Sequence, residues 1–444
     1  MSAQGSVCRP SSGAIERRAI ACAFLGLALL ALAVTARWGG LAARLGDEEI
    51  PRVAATPIYR THDPKAARPA AAVPATVTEP PSAQAVAQER VAAAPASPGD
   101  LPRPEQLPYL SAIGAVAVWT HSGPSRSVIV AVVDSGVDVT HPGLAGHIWE
   151  NPRWRTDESG AVDADGCPRA RYGCAFVSAE TADASCGYQS PGPSGAVADD
   201  NGHGTFVAGV VVAAAGNGLG AADGAGDIGV RILPVKVLDC TGEGRASQAA
   251  AGIRYAARSG ARVIVLAFSG ASDSPALREA IVEARQTYGA LIVAAAGNDG
   301  RAEMQFPSGY PGILAVGGTG VVRADGQVDY LRQASFSNTS GAVSVLAPAV
   351  AIMGPVPRML CGHRDWTCIE GEPYAYASGT SYAAPLVAGA SAVLIADDPG
   401  LTPDDVMRLL VGAARPIEGS LVGQVDIAAA LARARSWRAG SRLD

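Results

Sequence analysis

Val128-Ile129-Val130-Ala131-Val132-Val133-Asp134-Ser135-Gly136 is an unbroken apolar run that ends on a carboxylate and a turn. Consecutive apolar, mostly β-branched residues predict a strand buried on both faces, as in a parallel sheet covered by helices. Asp134 then stands at the carboxyl end of that strand, the edge where open α/β sheets gather their functional groups. Runs of the same kind follow at 232–237, 263–268, 291–296, 313–316 and 343–346. Helical patterns lie between them, at 247–258 and from the Ser274-Pro275 cap to Gly289. Thr402-Pro403-Asp404-Asp405 is a capping signature for a helix reaching Ala413. The alternation predicts an α/β fold with a doubly wound, mostly parallel sheet flanked by helices.

Upstream the composition changes. Residues 1–18 form a basic leader ending in Arg17 and Arg18, residues 19–36 are apolar without a charge, and Arg37 closes the run. Eighteen residues are long for a signal-peptide core and barely enough to cross a bilayer. A removable signal, cleaved after Val34-Thr35-Ala36, and an uncleaved transmembrane anchor both remain open. Either predicts export, to the cell envelope or as a secreted protein. Residues 37–108 are rich in Ala and Pro, and proline keeps breaking any helix, so this stretch reads as a semi-extended tether. The folded domain is expected over 109–435, with 436–444 as a tail.

Cys8 and Cys22 fall in the leader, leaving Cys167, Cys174, Cys186, Cys240, Cys361 and Cys368. None has the spacing of a metal site, so in an exported chain the even set predicts disulfides. Cys167 with Cys174 and Cys361 with Cys368 look like loop staples, although all fifteen connectivities are formally open. A net charge of −6 without a basic stripe argues against nucleic acid as a partner. A monomer is expected.

The stretch Ala377-Ser378-Gly379-Thr380-Ser381-Tyr382-Ala383-Ala384-Pro385 crowds small residues around one hydroxyl just before a buried helical pattern. A serine there has backbone N–H groups and the positive end of the helix dipole beside it, where an oxyanion is stabilised. An ordinary N-cap serine is the commoner use of that position, so a base and an orienting acid must be found. Of six histidines, His203 alone lies in a Gly-bracketed turn, Asp200-Asn201-Gly202-His203-Gly204-Thr205, that opens a buried helix. Ser381 as nucleophile, His203 as base and Asp134 as orienting acid complete a triad. The chain order Asp, His, Ser and the absence of Gly-x-Ser-x-Gly argue against an α/β-hydrolase. Ala-Ala-Ala-Gly-Asn occurs twice, ending at Asn217 and Asn298. Asn217 stops a helix, whereas Asn298 follows a strand onto the active edge and is the expected oxyanion donor; Thr380 is expected to add a hydroxyl.

Val133-Asp134-Ser135-Gly136-Val137-Asp138, Asn201-Gly202-His203-Gly204-Thr205-Phe206-Val207-Ala208-Gly209 and Gly379-Thr380-Ser381-Tyr382-Ala383-Ala384-Pro385 resemble the three signatures of subtilisin-like serine proteases, the subtilases. Asn298 matches that family's oxyanion asparagine, and the likeness spans about residues 109–432. It implies hydrolysis of protein or peptide substrates through an acyl-enzyme, with no cofactor required. A catalytically silent binding module and a non-proteolytic serine hydrolase are the rival readings.

The chain departs from the family at several points. Phe206 stands where relatives often have a second histidine. No compact inhibitory prodomain pattern appears in the tether. Gly143 replaces a common calcium-binding aspartate, which weakens that site, so no metal ligand is assigned. The stretch from Trp149-Glu150-Asn151-Pro152 through Asp163-Ala164-Asp165-Gly166 resembles an acidic loop of some subtilases that could bind a cation, but a solvated acidic turn is favoured there. By resemblance, Gly242-Glu243-Gly244 and Phe268-Ser269-Gly270 are the two strands that pair with substrate main chain. The resemblance further implies that Ala295 and Gly297 wall an open S1 pocket, that Ser269, where relatives usually have glycine, narrows it, and that Asp299 lies at its rim. The expected preference is for medium apolar P1 residues, with tolerance of Arg or Lys that fades with salt.

Overall fold

The computed structural model describes residues 52–55, 103–119, 127–152, 154, 167, 170–177, 197–216, 229–363, 366–369 and 371–440. Strand β1 (Arg52–Ala55) comes first, then a 3-10 turn (Pro104–Gln106) and the short helices α1 (Leu107–Ala112) and α2 (Ala115–Val118). The apolar run becomes β2 (Val128–Asp134), followed by β3 (Cys174–Ala175), α3 (His203–Ala215), β4 (Val230–Lys236) and β5 (Glu243–Arg245). Next come α4 (Ala246–Arg258), β6 (Val263–Leu266), β7 (Phe268–Ser269), α5 (Pro275–Gln286), β8 (Leu291–Ala295) and β9 (Leu314–Val322). The chain then forms β10 (Val328–Gln333), β11 (Val343–Pro348), β12 (Ile352–Pro355), β13 (Tyr374–Ala377), α6 (Thr380–Asp397), α7 (Pro403–Gly412) and α8 (Ile427–Gly440).

Eight strands share one sheet in the order β10-β9-β8-β6-β2-β4-β3, with β11 also paired to β9. Every pairing in it is parallel except β10 with β9, which is the expected doubly wound architecture. Strand β2 lies between β4 and β6, so Asp134 emerges mid-sheet. Side chains along β2 alternate between two cores, as a period of two requires. Val130 and Val132 join α3 and α6, while Ala131 and Val133 join α4 and α5.

Helix α3 is buried along its whole length and α6 along nearly all of it, because both are apolar all round rather than along one stripe. Among the described residues α6 is the one helix long and apolar enough to cross a membrane, and 94% of it is buried inside this fold. Residues 19–36 lie outside the described residues. The caps behave as their chemistry dictates. Ser274 Oγ accepts from Leu277 N, and Thr402 and Asp405 form the reciprocal capping box.

The structure adds two things at the amino end. Folded contacts begin before Tyr109: Gln106 is buried and donates Nε2 to Met353 O at 3.0 Å, a carbonyl shared with Tyr109 Oη at 2.9 Å. Strand β1 also lies within the stretch whose composition reads as a tether. Pairing between backbones needs no particular side chain, so composition does not announce it. Both loop staples form, Cys167–Cys174 and Cys361–Cys368. Cys240 is disulfide-bonded as well, and Cys186 lies outside the described residues.

Candidate active site

Strand β2 ends at Asp134 and helix α3 begins at His203, which brings Asp134 Oδ1 to 2.9 Å from His203 Nδ1, both side chains buried. The close approach has a steric requirement. A Cβ at Gly204 would fall 2.1 Å from Gly136 O, so only glycine lets the helix start settle against the strand end. Ser135 N donates to Asp134 Oδ1 at 2.7 Å. Ser135 Oγ accepts from Gly204 N at 3.0 Å and donates to Asp199 Oδ1 at 2.9 Å.

Asp199 is a residue the sequence reading missed. Its buried carboxylate also accepts from Gly202 N at 2.7 Å, Asn201 N at 3.1 Å, Thr205 N at 2.8 Å and Thr205 Oγ1 at 2.6 Å. It thereby caps the first turn of α3 and ties that turn to the residue after Asp134. Burial holds its pKa above 3.8, against the pull of Lys236 and the hydrogen bonds from Thr205 and Gly202. Lys236 donates Nζ to Ser135 O and to Asp200 Oδ1.

Burial by itself would lower the pKa of His203. The charge and hydrogen bond of Asp134 outweigh it, with Asp199 adding its field, and the net shift is upward from 6.5. Tyr382 packs against the imidazole with ring centroids 5.6 Å apart. Its phenol is pushed well above 10 by burial and then by Asp134, so it stays neutral.

Ser381 occupies the first turn of α6, a helix packed against α3 and the sheet. Its Oγ donates to Ala267 O at 3.0 Å, and His203 Nε2 has no hydrogen-bond partner among the described residues. Asn298, buried after β8, accepts through Oδ1 from Thr380 N at 2.8 Å and Thr380 Oγ1 at 2.9 Å. Gly297 N in turn donates to Thr380 Oγ1 at 3.1 Å. The Thr380 hydroxyl therefore pins the asparagine from behind, which differs from the expected second hydroxyl in the oxyanion hole. Asn338, a further residue the sequence reading missed, holds the same loop. It accepts from Asp299 N at 3.0 Å and Arg301 N at 3.1 Å, and donates to Ala296 O at 3.1 Å. Neither Asp199 nor Asn338 stands out in sequence, because polar loop residues are common and only contacts across the fold give them a role.

The two predicted cleft strands are β5 and β7, and between them lies β1. Strand β1 runs antiparallel to both, with Ala54 opposite Glu243 and Ser269, Val53 opposite Gly244, and Ala55 opposite Phe268. Gly242 precedes β5 in a turn held by Asp239, whose Oδ1 accepts from Thr241 N and Glu243 N. Gly270 pairs with Phe306, its N–H donating to Phe306 O at 2.8 Å and its carbonyl accepting from Phe306 N at 2.9 Å, so the pairing of β1 with β7 ends at Ser269. Ala295 and Gly297 are buried, and Asp299 is exposed at the loop edge, where its Oδ2 meets Gln305 Nε2 at 3.4 Å.

Gly143 supplies no carboxylate, and its N–H donates to His141 Nδ1 at 3.0 Å. No group of three His, Cys, Asp or Glu suited to a metal occurs among the described residues. The acidic turn at 163–166 and Asn217 lie outside the described residues.

A family model described as the Subtilase family matches residues 125–433. Fervidolysin of Fervidobacterium pennivorans is 31% identical over 330 residues, covering 70% of this chain and 40% of that protein. Subtilisin amylosacchariticus of Bacillus subtilis subsp. amylosacchariticus is 31% identical over 338 residues, covering 73% of this chain and 71% of that protein. The crystal structure of fervidolysin, described as a keratinolytic enzyme related to subtilisin, matches at a TM-score of 0.58 and 25% identity. That match covers 86% of this chain and 51% of the other, so the chain spans about half of fervidolysin.

Proposed function

The chain belongs to the subtilase family, and on that premise we propose that it is an exported serine endopeptidase working through an acyl-enzyme. The observation that carries the reading is the buried Asp134–His203 pair at 2.9 Å, with Ser381 in the first turn of the helix that packs against the histidine's own. Ser381 Oγ turns from Ala267 O to His203 Nε2, gives up its proton there and attacks the substrate carbonyl. Asp134 holds the imidazole tautomer and stabilises the imidazolium. His203 then protonates the leaving amine, and water repeats the sequence to release the acid. The oxyanion lies between the Ser381 N–H, at the positive end of α6, and the amide of Asn298, whose carbonyl Thr380 fixes.

Substrate adds as a strand between β5 and β7. The pairing of the chain's own β1 in that position supports this mode. Ala295, Gly297 and Ser269 favour medium apolar P1 side chains, and Asp299 gives a weak, salt-sensitive tolerance of Arg or Lys. Export through residues 19–36, as signal or anchor, and a tether over 37–108 agree with the disulfides at 167–174 and 361–368, since such bonds persist in oxidising compartments.

The test uses the purified full chain on a peptide library, alongside a fluorophosphonate probe and a small ester. Peptide cleavage and labelling, both abolished by Ser381→Ala in a folded protein, are the expected result. Ester turnover without peptide cleavage would overturn the endopeptidase reading, and no labelling would overturn the nucleophile.

A further inference from the structure

The disulfide Cys361–Cys368 closes a short segment that carries one buried aromatic side chain, Trp366, only 3% exposed. The segment is braced internally: Gly362 N donates to Trp366 O at 2.9 Å, and Trp366 N donates to His363 O at 3.1 Å. From this brace the indole reaches the turn that precedes the histidine. Its Nε1–H donates to Asn201 O at 2.7 Å. The ring lies so close over Gly202, at φ +97°, that a Cβ there would fall 2.3 Å from Nε1. Glycine is thus required twice at position 202, for the left-handed backbone and for the indole.

The other side of the indole begins a chain of rings. Trp366 stacks on Phe206 with centroids 5.5 Å apart and planes 24° apart. Phe206 meets Tyr382 at 4.4 Å, and Tyr382 meets His203 at 5.6 Å. Phe206 is one turn into the helix that begins with His203, and Tyr382 is the residue after Ser381. All four rings are buried, so each is a fixed wall for the next.

We propose that the segment closed by Cys361–Cys368 is a positioning element of the active site, with Trp366 setting the His203 turn against the start of α6. This rests on the assignment of His203 and Ser381 above. The staple fixes Trp366, Trp366 fixes the Asn201–Gly202 turn through Nε1 and the α3–α6 contact through Phe206, and those contacts fix the base against the nucleophile. Phe206 extends the stack where a polar ring would bring a group needing a partner. Misplacement of reacting groups by about 1 Å costs up to about 100-fold in rate, so a clamp on this contact acts on turnover rather than on substrate affinity.

The experiment compares Trp366→Phe, Trp366→Ala and Cys361→Ser/Cys368→Ser with a control lacking the other staple, Cys167→Ser/Cys174→Ser. Each is assayed well below its own melting temperature, with circular dichroism to show folding. Trp366→Ala and the Cys361/Cys368 variant are expected to lose about 10- to 100-fold in kcat with KM within about threefold. Trp366→Phe keeps the stack without the Nε1 donor and should recover part of that loss, and the control should stay within about twofold of wild type. A loss confined to KM, an unchanged kcat in Trp366→Ala, or an equal loss in the control would overturn the proposal. The low-field His203 Nδ1 proton bonded to Asp134 provides a readout independent of turnover. It should broaden or shift in Trp366→Ala even if the wild type proves to hydrolyse no peptide; an unperturbed resonance there overturns the positioning role.

Discussion

At His203 two carboxylates act against burial and win, and the sign of the result can be measured. The base works only when neutral, so with its pKa raised above 6.5 activity should climb with pH through a limb above that value. Linkage gives stability the opposite sense. The protonated imidazole beside Asp134 contributes stability that is fully present below pH 6.5 and lost as pH rises through the folded pKa. Asp199→Asn removes one anion and should move the acidic limb of kcat/KM to lower pH; a limb that stays in place removes Asp199 from the electrostatics. At Asn298 the expectation is simpler. Asn298→Ala leaves Thr380 without its acceptor and the proposed oxyanion with one of its two donors, and should cut kcat by about 100- to 1,000-fold with the fold retained. A loss under about fivefold would place the oxyanion elsewhere.

Strands β5 and β7 form a slot one strand wide, and β1 fills it through main-chain bonds. A peptide substrate that adds to the same edges must compete with β1. Ala54→Pro deletes the N–H in the middle of β1 without touching the slot, and should lower KM for peptides by about two- to tenfold at constant kcat. An unchanged KM would mean that β1 and substrate use different edges. Ser269 lies in β7 opposite Ala54 and stops short of the Phe306 pairing at Gly270. Ser269→Gly takes a hydroxymethyl group from the pocket wall, so Phe at P1 should gain about tenfold in kcat/KM relative to Leu. No gain would show that Ser269 does not set the pocket width.

At the scale of the whole molecule the thiols test the proposed export. With Cys167–Cys174 and Cys361–Cys368 closed and Cys240 bonded, the denatured, unreduced chain should expose no thiol beyond Cys8 and Cys22 of the proposed leader. Thiol titration with intact-mass measurement then separates the two readings of residues 19–36. Absence of the leader together with near-zero thiols fits a cleaved signal, and a retained leader fits an anchor. A further reactive thiol would refute complete pairing of the domain.

Much of this protein was legible along one dimension. The run 128–133 predicts a buried parallel strand because its period is unbroken, and β2 follows it to Asp134. His203 and Ser381 could be singled out because glycine turns before apolar helices are local signals, and the Ser274 and Thr402 caps are local for the same reason. The edge strand β10, half exposed and polar, left no such pattern. Nor did β1, which is held by backbone groups every residue has. Asp199, Asn338 and Trp366 lie in loops and gain their roles from partners reached only when the chain closes: Ser135 is 64 positions from Asp199, and Asn201 is 165 from Trp366. The buried strands, the helices around them and the residues proposed to carry the chemistry could be read along the chain, because periodicity and turn stereochemistry act between near neighbours. How those residues are held follows from the closed fold, because hydrogen bonds and ring contacts depend on distance in space rather than on separation along the chain.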